Sequence, residues 1–542
     1  MKIKTYQLKI AAILAFAIAA FGLYDGISVA AQQNTQRQRI TGTPTPSPTP
    51  AIPNPIATST PLVGQSLADL QGKIRFALSR AELQRGQVGV KIVSLDTNKT
   101  IFEQNPEKYF MPASNMKSYT MAAAIERLSP SFRFVTSVSA TSPVDASGTI
   151  KGNLTITGSG DVSFSPAFYD GDYYKGLDAL AEKIVQAGVK RIEGDLVGDD
   201  SYFLGNATPF GWEWDDMQWY YGAEISALNI NNNSVDLSVK PSAVGAPCIV
   251  QILPLNSVVK IQNTCTTSAN SVKRDLKATK KLDQNILEIS GSMPANDKIY
   301  QGSIAISRPA EMFVELLRQV LLKKGVVVTG QNRVIGAKEN SVRQGGSSLL
   351  SIAITKIESP PLSVIAAKTM KPSQNLYTET ILWTLGEQVG DKTNPKSTSA
   401  ERGLDVVKNF LGQIGVATDS VLQYDGSGLS RHNLITPNSA VQLYTYMAKQ
   451  SRYAQVWQDA LTIGGVDGTL RNRFKGTKAA GNVRGKTGTI DQVSALSGYV
   501  STVAGEKLVF SIIVNGVAEN GIRQATIDEI VVALANFSGS LK

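Results

Sequence analysis

Pro112-Ala113-Ser114-Asn115-Met116-Lys117-Ser118 sets a serine and a lysine three residues apart, just after a proline. Proline is tolerated in the first turn of a helix, where its missing N–H has no partner to lose. A helix is therefore expected to begin here and to run towards Leu128, carrying Ser114 at its start. Three residues is close to one helical turn, so the Ser114 and Lys117 side chains share a face and can touch. A hydroxyl beside an amine is a surface accident or an activated nucleophile, and the rest of the chain has to decide.

One histidine, His432, occurs in the 542 residues. It sits in the turn-rich stretch DGSGLSRHNLITP with no G-x-S-x-G elbow, so a serine–histidine–aspartate triad is not expected. The base for Ser114 must be something else, and Lys117 is placed for it. Lysine is a poor base at its ordinary pKa of about 10.4, because it is protonated at neutral pH. Burial and neighbouring positive charge both penalise the ammonium form. A serine–lysine mechanism thus predicts a second cation at the same site, and Lys486 in GKTGT is the candidate. A third element, Ser373-Gln374-Asn375, opens a helical pattern; its hydroxyl can relay a proton while its amide orients the lysine.

Outward from these motifs, Lys2 and Lys4 precede an apolar run from Ile10 to Leu23 and the small residues Ser28-Val29-Ala30-Ala31. That order predicts a secretory signal over residues 1–31 and an exported protein, in the periplasm or on the outer face of the cytoplasmic membrane. Residues 32–65, with alternating Thr and Pro from Thr43 to Pro50, read as a disordered or semi-rigid spacer. Folded sequence begins near Ser66, where Leu67, Leu70, Ile74, Phe76 and Ala77 recur with helical spacing. QVGVKIVSLDTN follows as a strand ending in a turn.

From residue 135 to 345 short β-like runs are separated by Gly, Asn, Asp and Pro turns, interrupted by helical patterns in LDALAEKIVQAGV and PAEMFVELLRQVLLKKG. Helices return in PLSVIAAKTM, QNLYTETILWTLGEQV, ERGLDVVKNFLGQIG and PNSAVQLYTYMAKQ. The chain closes with NVRGKTGTI, SALSGYVSTVA and KLVFSIIVNG as successive strands, then the helix IRQATIDEIVVALANF. The expected fold is α/β, an antiparallel sheet flanked by helices, formed by residues 66–134 and 346–542 and split by a large strand-rich insertion at 135–345.

Each motif alone is an ordinary polar pattern. Their order and context together resemble penicillin-binding proteins and class A β-lactamases: Ser-x-x-Lys at a helix start, Ser-x-Asn at a loop-to-helix junction, Lys-Thr-Gly on a strand before a hairpin. Ser373 follows Ser114 by 259 residues (373 − 114), which leaves room for the insertion. That arrangement resembles the D-alanyl-D-alanine carboxypeptidase/endopeptidase family, the type-4 low-molecular-mass penicillin-binding proteins. SPPLSVIAAKTMKPSQNLYTE, YDGSGLSRHNLITP, GGVDGTLRNRF, GSGD and ISALNINNN are also similar to that family.

The resemblance implies a serine D,D-peptidase acting on the D-Ala-D-Ala end of peptidoglycan stem peptides through an acyl-enzyme, with β-lactams as inhibitors. Ser114 would be the nucleophile, Lys117 its base, Ser373 a proton relay and Asn375 the residue holding the lysine and the substrate amide. Lys486, Thr487, Gly488 and Thr489 would bind the terminal carboxylate, with the N–H groups of Ser114 and Thr489 as oxyanion hole. A β-lactamase or Ser-Lys esterase on the same scaffold, and a non-catalytic wall-binding protein, are the alternatives.

No metal or organic cofactor is expected. Cys248 and Cys265 close a short loop in an exported protein, which points to a disulfide, and two thiols without nearby histidines cannot complete a tetrahedral zinc site. The formal charge of +10 comes without a dense basic run or an RNA-type aromatic motif, so nucleic acid is not an expected partner; the chain is compatible with a homo-oligomer. Asp425, Gly426 and Gly428, like Asp467, Gly468 and Thr469, read as turn residues beside the site, with Arg473 able to add to its electrostatics. Trp212, Trp214 and Trp219 read as a packed aromatic cluster inside the insertion, with glycan stacking as the other reading.

Overall fold

The computed structural model describes residues 65–336 and 351–540. The expected signal, nearly all of the expected spacer and the expected end of the insertion at 345 lie outside the described residues. Folded structure starts at Ser66, whose Oγ accepts from Asp69 N at 3.1 Å while Asp69 Oδ2 accepts from Ser66 N at 3.0 Å. This reciprocal pair satisfies two otherwise orphaned donors and starts the helix Leu67–Leu78. Leu70, Ile74 and Ala77 form its buried face. Phe76, expected on that face, is 74% exposed. Six residues past Leu70 the helix has turned by about 240°, which carries Phe76 to the solvent side.

The core sheet has six antiparallel strands in the order Thr100–Gln104, Gln87–Ser94, Lys507–Asn515, Val493–Ser501, Arg484–Ile490 and Thr462–Ile463. The first long strand thus pairs with the last, Val90 opposite Ile512, so both ends of the folded chain build one layer. Val88, Val90, Ile92, Leu508, Phe510, Ile512 and Val514 pack with the helices Leu67–Leu78 and Asn520–Ala535. Ala495, Val509 and Ile513 face the opposite way, into a core with the helices Lys117–Leu128, Leu362–Met370, Asn375–Val389 and Pro437–Lys449. Lys507–Asn515 is buried along nearly its whole length, which explains its almost unbroken apolar sequence.

The chain leaves this sandwich at the strand Val135–Ala140 and comes back along Ile352–Glu358, its antiparallel neighbour. Both belong to a five-stranded sheet completed by Leu154–Thr157, Leu196–Asp199 and Asn332–Ile335. The helices Lys175–Gln186 and Pro309–Lys323 fill a second core against it, at the positions of the two helical patterns in the sequence. Smaller sheets built on Ser234–Lys240 and Ile286–Pro294 follow. Cys248 and Cys265 are joined by a disulfide in this region. Among the described residues no helix is long and apolar enough to cross a membrane.

Candidate active site

Ser114 lies on a 3₁₀ turn, Ala113–Met116, that precedes the helix Lys117–Leu128, rather than on the α-helix itself. Ala113 has φ +47°, and this left-handed residue turns the chain sharply before the serine. The turn is wedged between two glycines. A Cβ at Gly428 would fall 1.9 Å from the Ala113 carbonyl oxygen, and one at Gly488 would fall 2.3 Å from that of Pro112. Asn115 Nδ2 donates to Lys486 O at 3.0 Å and ties the turn to the Arg484–Ile490 strand.

Lys117 is fully buried. Its Nζ lies 2.9 Å from Ser114 Oγ, 2.5 Å from Asn375 Oδ1 and 2.6 Å from Ser427 O. Burial lowers its pKa to about 7, against the opposing pull of the Asp425 and Glu379 carboxylates. The amine is therefore available as a base near neutral pH while still aimed at the serine oxygen.

Lys486 is also fully buried, and its Nζ reaches Ser373 Oγ at 2.8 Å and Thr487 O at 2.8 Å. Burial first, and the nearby Lys117 second, hold it well below the ordinary lysine range. Lys486 is thus the second cation expected beside Lys117, and burial is the first cause of the lowered pKa of both lysines. Ser373, at φ +67° just before the helix Asn375–Val389, contacts Lys486. Asn375, two residues on, turns inward to Lys117, so the Ser-x-Asn motif spans both lysines. Thr487 Oγ1 donates to Thr469 Oγ1 at 2.7 Å, and Thr489 lies further along the same strand, opposite Ser494.

All eight predicted catalytic and substrate-binding residues thus meet along one seam, between the Ser114 turn, the start of the Asn375 helix and the Arg484–Ile490 strand. A family model described as D-Ala-D-Ala carboxypeptidase 3 (S13) matches residues 70–537. The chain belongs to that family. The D-alanyl-D-alanine carboxypeptidase of Actinomadura sp. (strain R39) is 31% identical over 487 residues, covering 88% of this chain and 86% of the relative. D-alanyl-D-alanine carboxypeptidase DacB of Haemophilus influenzae is 26% identical and covers 81% of this chain and 87% of its own length. The crystal structure of penicillin binding protein 4 (dacB) from H. influenzae shares the fold, with a TM-score of 0.71 at 23% identity over 87% of this chain and 98% of that one. This S13 protein is accordingly a serine-type D-Ala-D-Ala carboxypeptidase, a hydrolase working through an acyl-enzyme.

The S13 seam also uses residues that the motifs do not name. Asp425 accepts from Trp212 Nε1 at 2.8 Å, Gly428 N at 2.7 Å, Ser430 N at 2.9 Å and Asn433 Nδ2 at 2.8 Å, and so fixes the loop whose Ser427 carbonyl meets Lys117. Glu379 is buried under the same loop and accepts from Gly426 N at 2.7 Å. Burial and the Asp425 charge push its carboxyl well above the usual range, towards the neutral acid. A carboxyl four residues after Asn375, on the inward face of a helix, was the available signal for it.

Two other expectations are corrected. Arg473 pairs with Asp528 on the C-terminal helix, Nε to Oδ1 at 3.0 Å, and so belongs to the scaffold. The tryptophans do not cluster: Trp212 reaches Asp425, Trp214 is 72% exposed and Trp219 packs on the inserted core. His432 lies exposed beside Phe210 and Tyr424, with ring centroids 5.2 and 5.6 Å away.

Proposed function

We propose that Ser114 is the nucleophile of this carboxypeptidase and Lys117 its general base. The observation that carries this is the buried Lys117 amine, 2.9 Å from Ser114 Oγ and poised at about 7. Ser114 Oγ attacks the carbonyl carbon of the penultimate D-alanine as its proton passes to Lys117 Nζ. The tetrahedral oxyanion is met by the N–H groups of Ser114 and Thr489, each worth about 3 kcal/mol in the transition state. Collapse breaks the peptide bond, and the leaving D-alanine amine takes its proton through Ser373, which is hydrogen-bonded to Lys486. Water, activated by Lys117, then attacks the Ser114 ester and releases the shortened stem peptide.

Lys486, Thr487, Gly488 and Thr489 hold the terminal carboxylate. The substrate's negative charge adds to the Ser373 and Thr487 contacts of Lys486 and favours its ammonium form. Asn375 orients Lys117 and the substrate amide. A β-lactam presents a strained amide of similar shape and acylates Ser114; the H. influenzae neighbour is described in complex with a novel β-lactam. Cross-links ending in D-alanine are cleaved by the same chemistry. Lys2 and Lys4, the apolar run from Ile10 to Leu23 and the small residues that follow support export to the periplasm or the outer membrane face.

The test is incubation of wild type and Ser114→Ala with labelled penicillin, followed by peptide mass spectrometry. A lasting adduct on the Ser114 peptide, absent from the variant, is the expected result. An unlabelled protein with intact drug sinks the assignment, and hydrolysed drug without an adduct makes the protein a β-lactamase.

A further inference from the structure

Two of the three groups around Lys117 Nζ are held in place from the inserted region. Asn375 Oδ1 faces the amine, and its Nδ2 donates to the Tyr221 carbonyl at 2.9 Å. Ser427 O faces the amine from a loop pinned by Asp425, whose Oδ2 accepts the Trp212 indole N–H at 2.8 Å. Trp212 and Tyr221 lie in one short segment, Gly211-Trp212-Glu213-Trp214-Asp215-Asp216-Met217-Gln218-Trp219-Tyr220-Tyr221-Gly222. The segment is seated tightly. A Cβ at Gly211, where φ is +78°, would fall 2.3 Å from Ser430 Oγ, and one at Gly222 would fall 2.3 Å from the Asp216 carbonyl oxygen. Glu213 adds an ion pair to Arg431 of the same loop, with 3.2 Å between Oε1 and Nε.

We propose that Gly211–Gly222 is a positioning strap for the general base, acting through the Trp212 indole on the Ser427 carbonyl and through the Tyr221 carbonyl on Asn375. The inserted region is then a working part of the active site. This rests on the reading of Lys117 as base.

The charged groups facing Lys117 are Asp425 and Glu379 from the loop and the Asn375 helix, and Lys486 from the strand. Slackening the strap frees the loop and admits water to the amine. Solvation favours the ammonium, so the acid limb of acylation moves to higher pH. A shift of one unit is a tenfold loss of neutral amine below the limb.

The experiment is the rate of penicillin acylation from about pH 5.5 to 10 in the full chain. Trp212→Phe keeps the ring but removes the indole donor. The acid limb is expected to rise by about one unit, with about a fivefold loss at pH 7 that is recovered at high pH. Gly211→Ala lifts the same end of the strap off Ser430 and shifts the limb the same way, which covers the case in which Trp212→Phe does not fold. Trp214→Phe, on the exposed ring, leaves the profile of the wild type. A uniformly lower rate with an unmoved limb in Trp212→Phe or Gly211→Ala overturns the strap. Lys117→Ala separates the two readings: lost acylation there beside an unmoved limb in the strap variants rejects the strap alone. Retained acylation in Lys117→Ala rejects the base, and the strap with it.

Discussion

Gly488 and Pro112 meet with no room for a side chain: a Cβ on Gly488 would stand 2.3 Å from the Pro112 carbonyl oxygen and 3.0 Å from Asn115 N. The Arg484–Ile490 strand can reach the serine turn only because this residue has no Cβ. Both obstacles are backbone atoms, so the strand itself must move. Gly488→Ala is expected to slow penicillin acylation by more than about 100-fold, since a misplacement near 1 Å costs that much. The overpacked contact should cost about 1–3 kcal/mol in denaturant unfolding. Acylation at the wild-type rate would show that the strand need not touch the turn.

The Lys117 amine, lowered to about 7 by burial, sets the pH response. As base it must be neutral, so acylation is expected to rise with pH along a limb centred near 7, not near the ordinary lysine value of about 10.4. Stability moves the same way. Between about 7 and about 10.4 the unfolded lysine is protonated while the folded one is not, so the unfolded state binds more protons. Lys117 therefore costs stability in full below that window, less on rising through it and nothing above it. Stopped-flow acylation and denaturant titrations across that range check both slopes. A limb near 10 would mean that the amine is not desolvated in solution.

The strands and helices around the site were legible because their patterns are local. Residues 484–490, 493–501 and 507–515 alternate or run apolar between turns, and the motif residues announce themselves by spacing. The second layer was not legible, because its members come from distant parts of the chain. Trp212 and Asp425 are 213 residues apart and meet only through the fold. Nothing in GWEWDDMQWYYG tells a tryptophan that donates to a buried aspartate from one packed in a core. The degree of burial was not legible either: charge can be counted from sequence, whereas the desolvation that dominates both lysines cannot.

Asn375→Asp replaces the amide oxygen 2.5 Å from Lys117 Nζ with a carboxylate. An opposite charge at that distance raises a lysine's pKa by about 1–3 units and removes the neutral base from pH 7. The kcat/KM for a D-Ala-D-Ala peptide should fall about 5- to 500-fold at pH 7 and recover in part towards pH 9. Asn375→Ala, which adds no charge, should lose activity without the alkaline recovery. Identical pH profiles in the two variants would count against an electrostatic role.

The Cys248–Cys265 disulfide, with a sequence separation of 17, is buried in the core of the inserted region. Closing a loop of that length restrains the unfolded chain by about 3 kcal/mol. Cys248→Ala/Cys265→Ala is expected to lower the stability of that region in denaturant unfolding while penicillin still acylates Ser114. Loss of acylation in a folded double variant would instead tie the bond to the active site.

Ser373 separates a backbone role from a side-chain role. Its φ of +67° is left-handed, a conformation that glycine adopts without penalty, and its Oγ is 2.8 Å from Lys486 Nζ. Ser373→Gly should therefore keep or raise stability, whereas Ser373→Ala keeps a Cβ in the strained region, at a difference of about 1 kcal/mol. Neither retains the hydroxyl, so both should lose peptide turnover to a similar degree, about 100-fold for a lost proton relay. Melting curves and turnover of a D-Ala-D-Ala peptide measure the two effects separately. If glycine restores activity relative to alanine, the backbone angle matters more than the relay, and the proton reaches the leaving amine by another route.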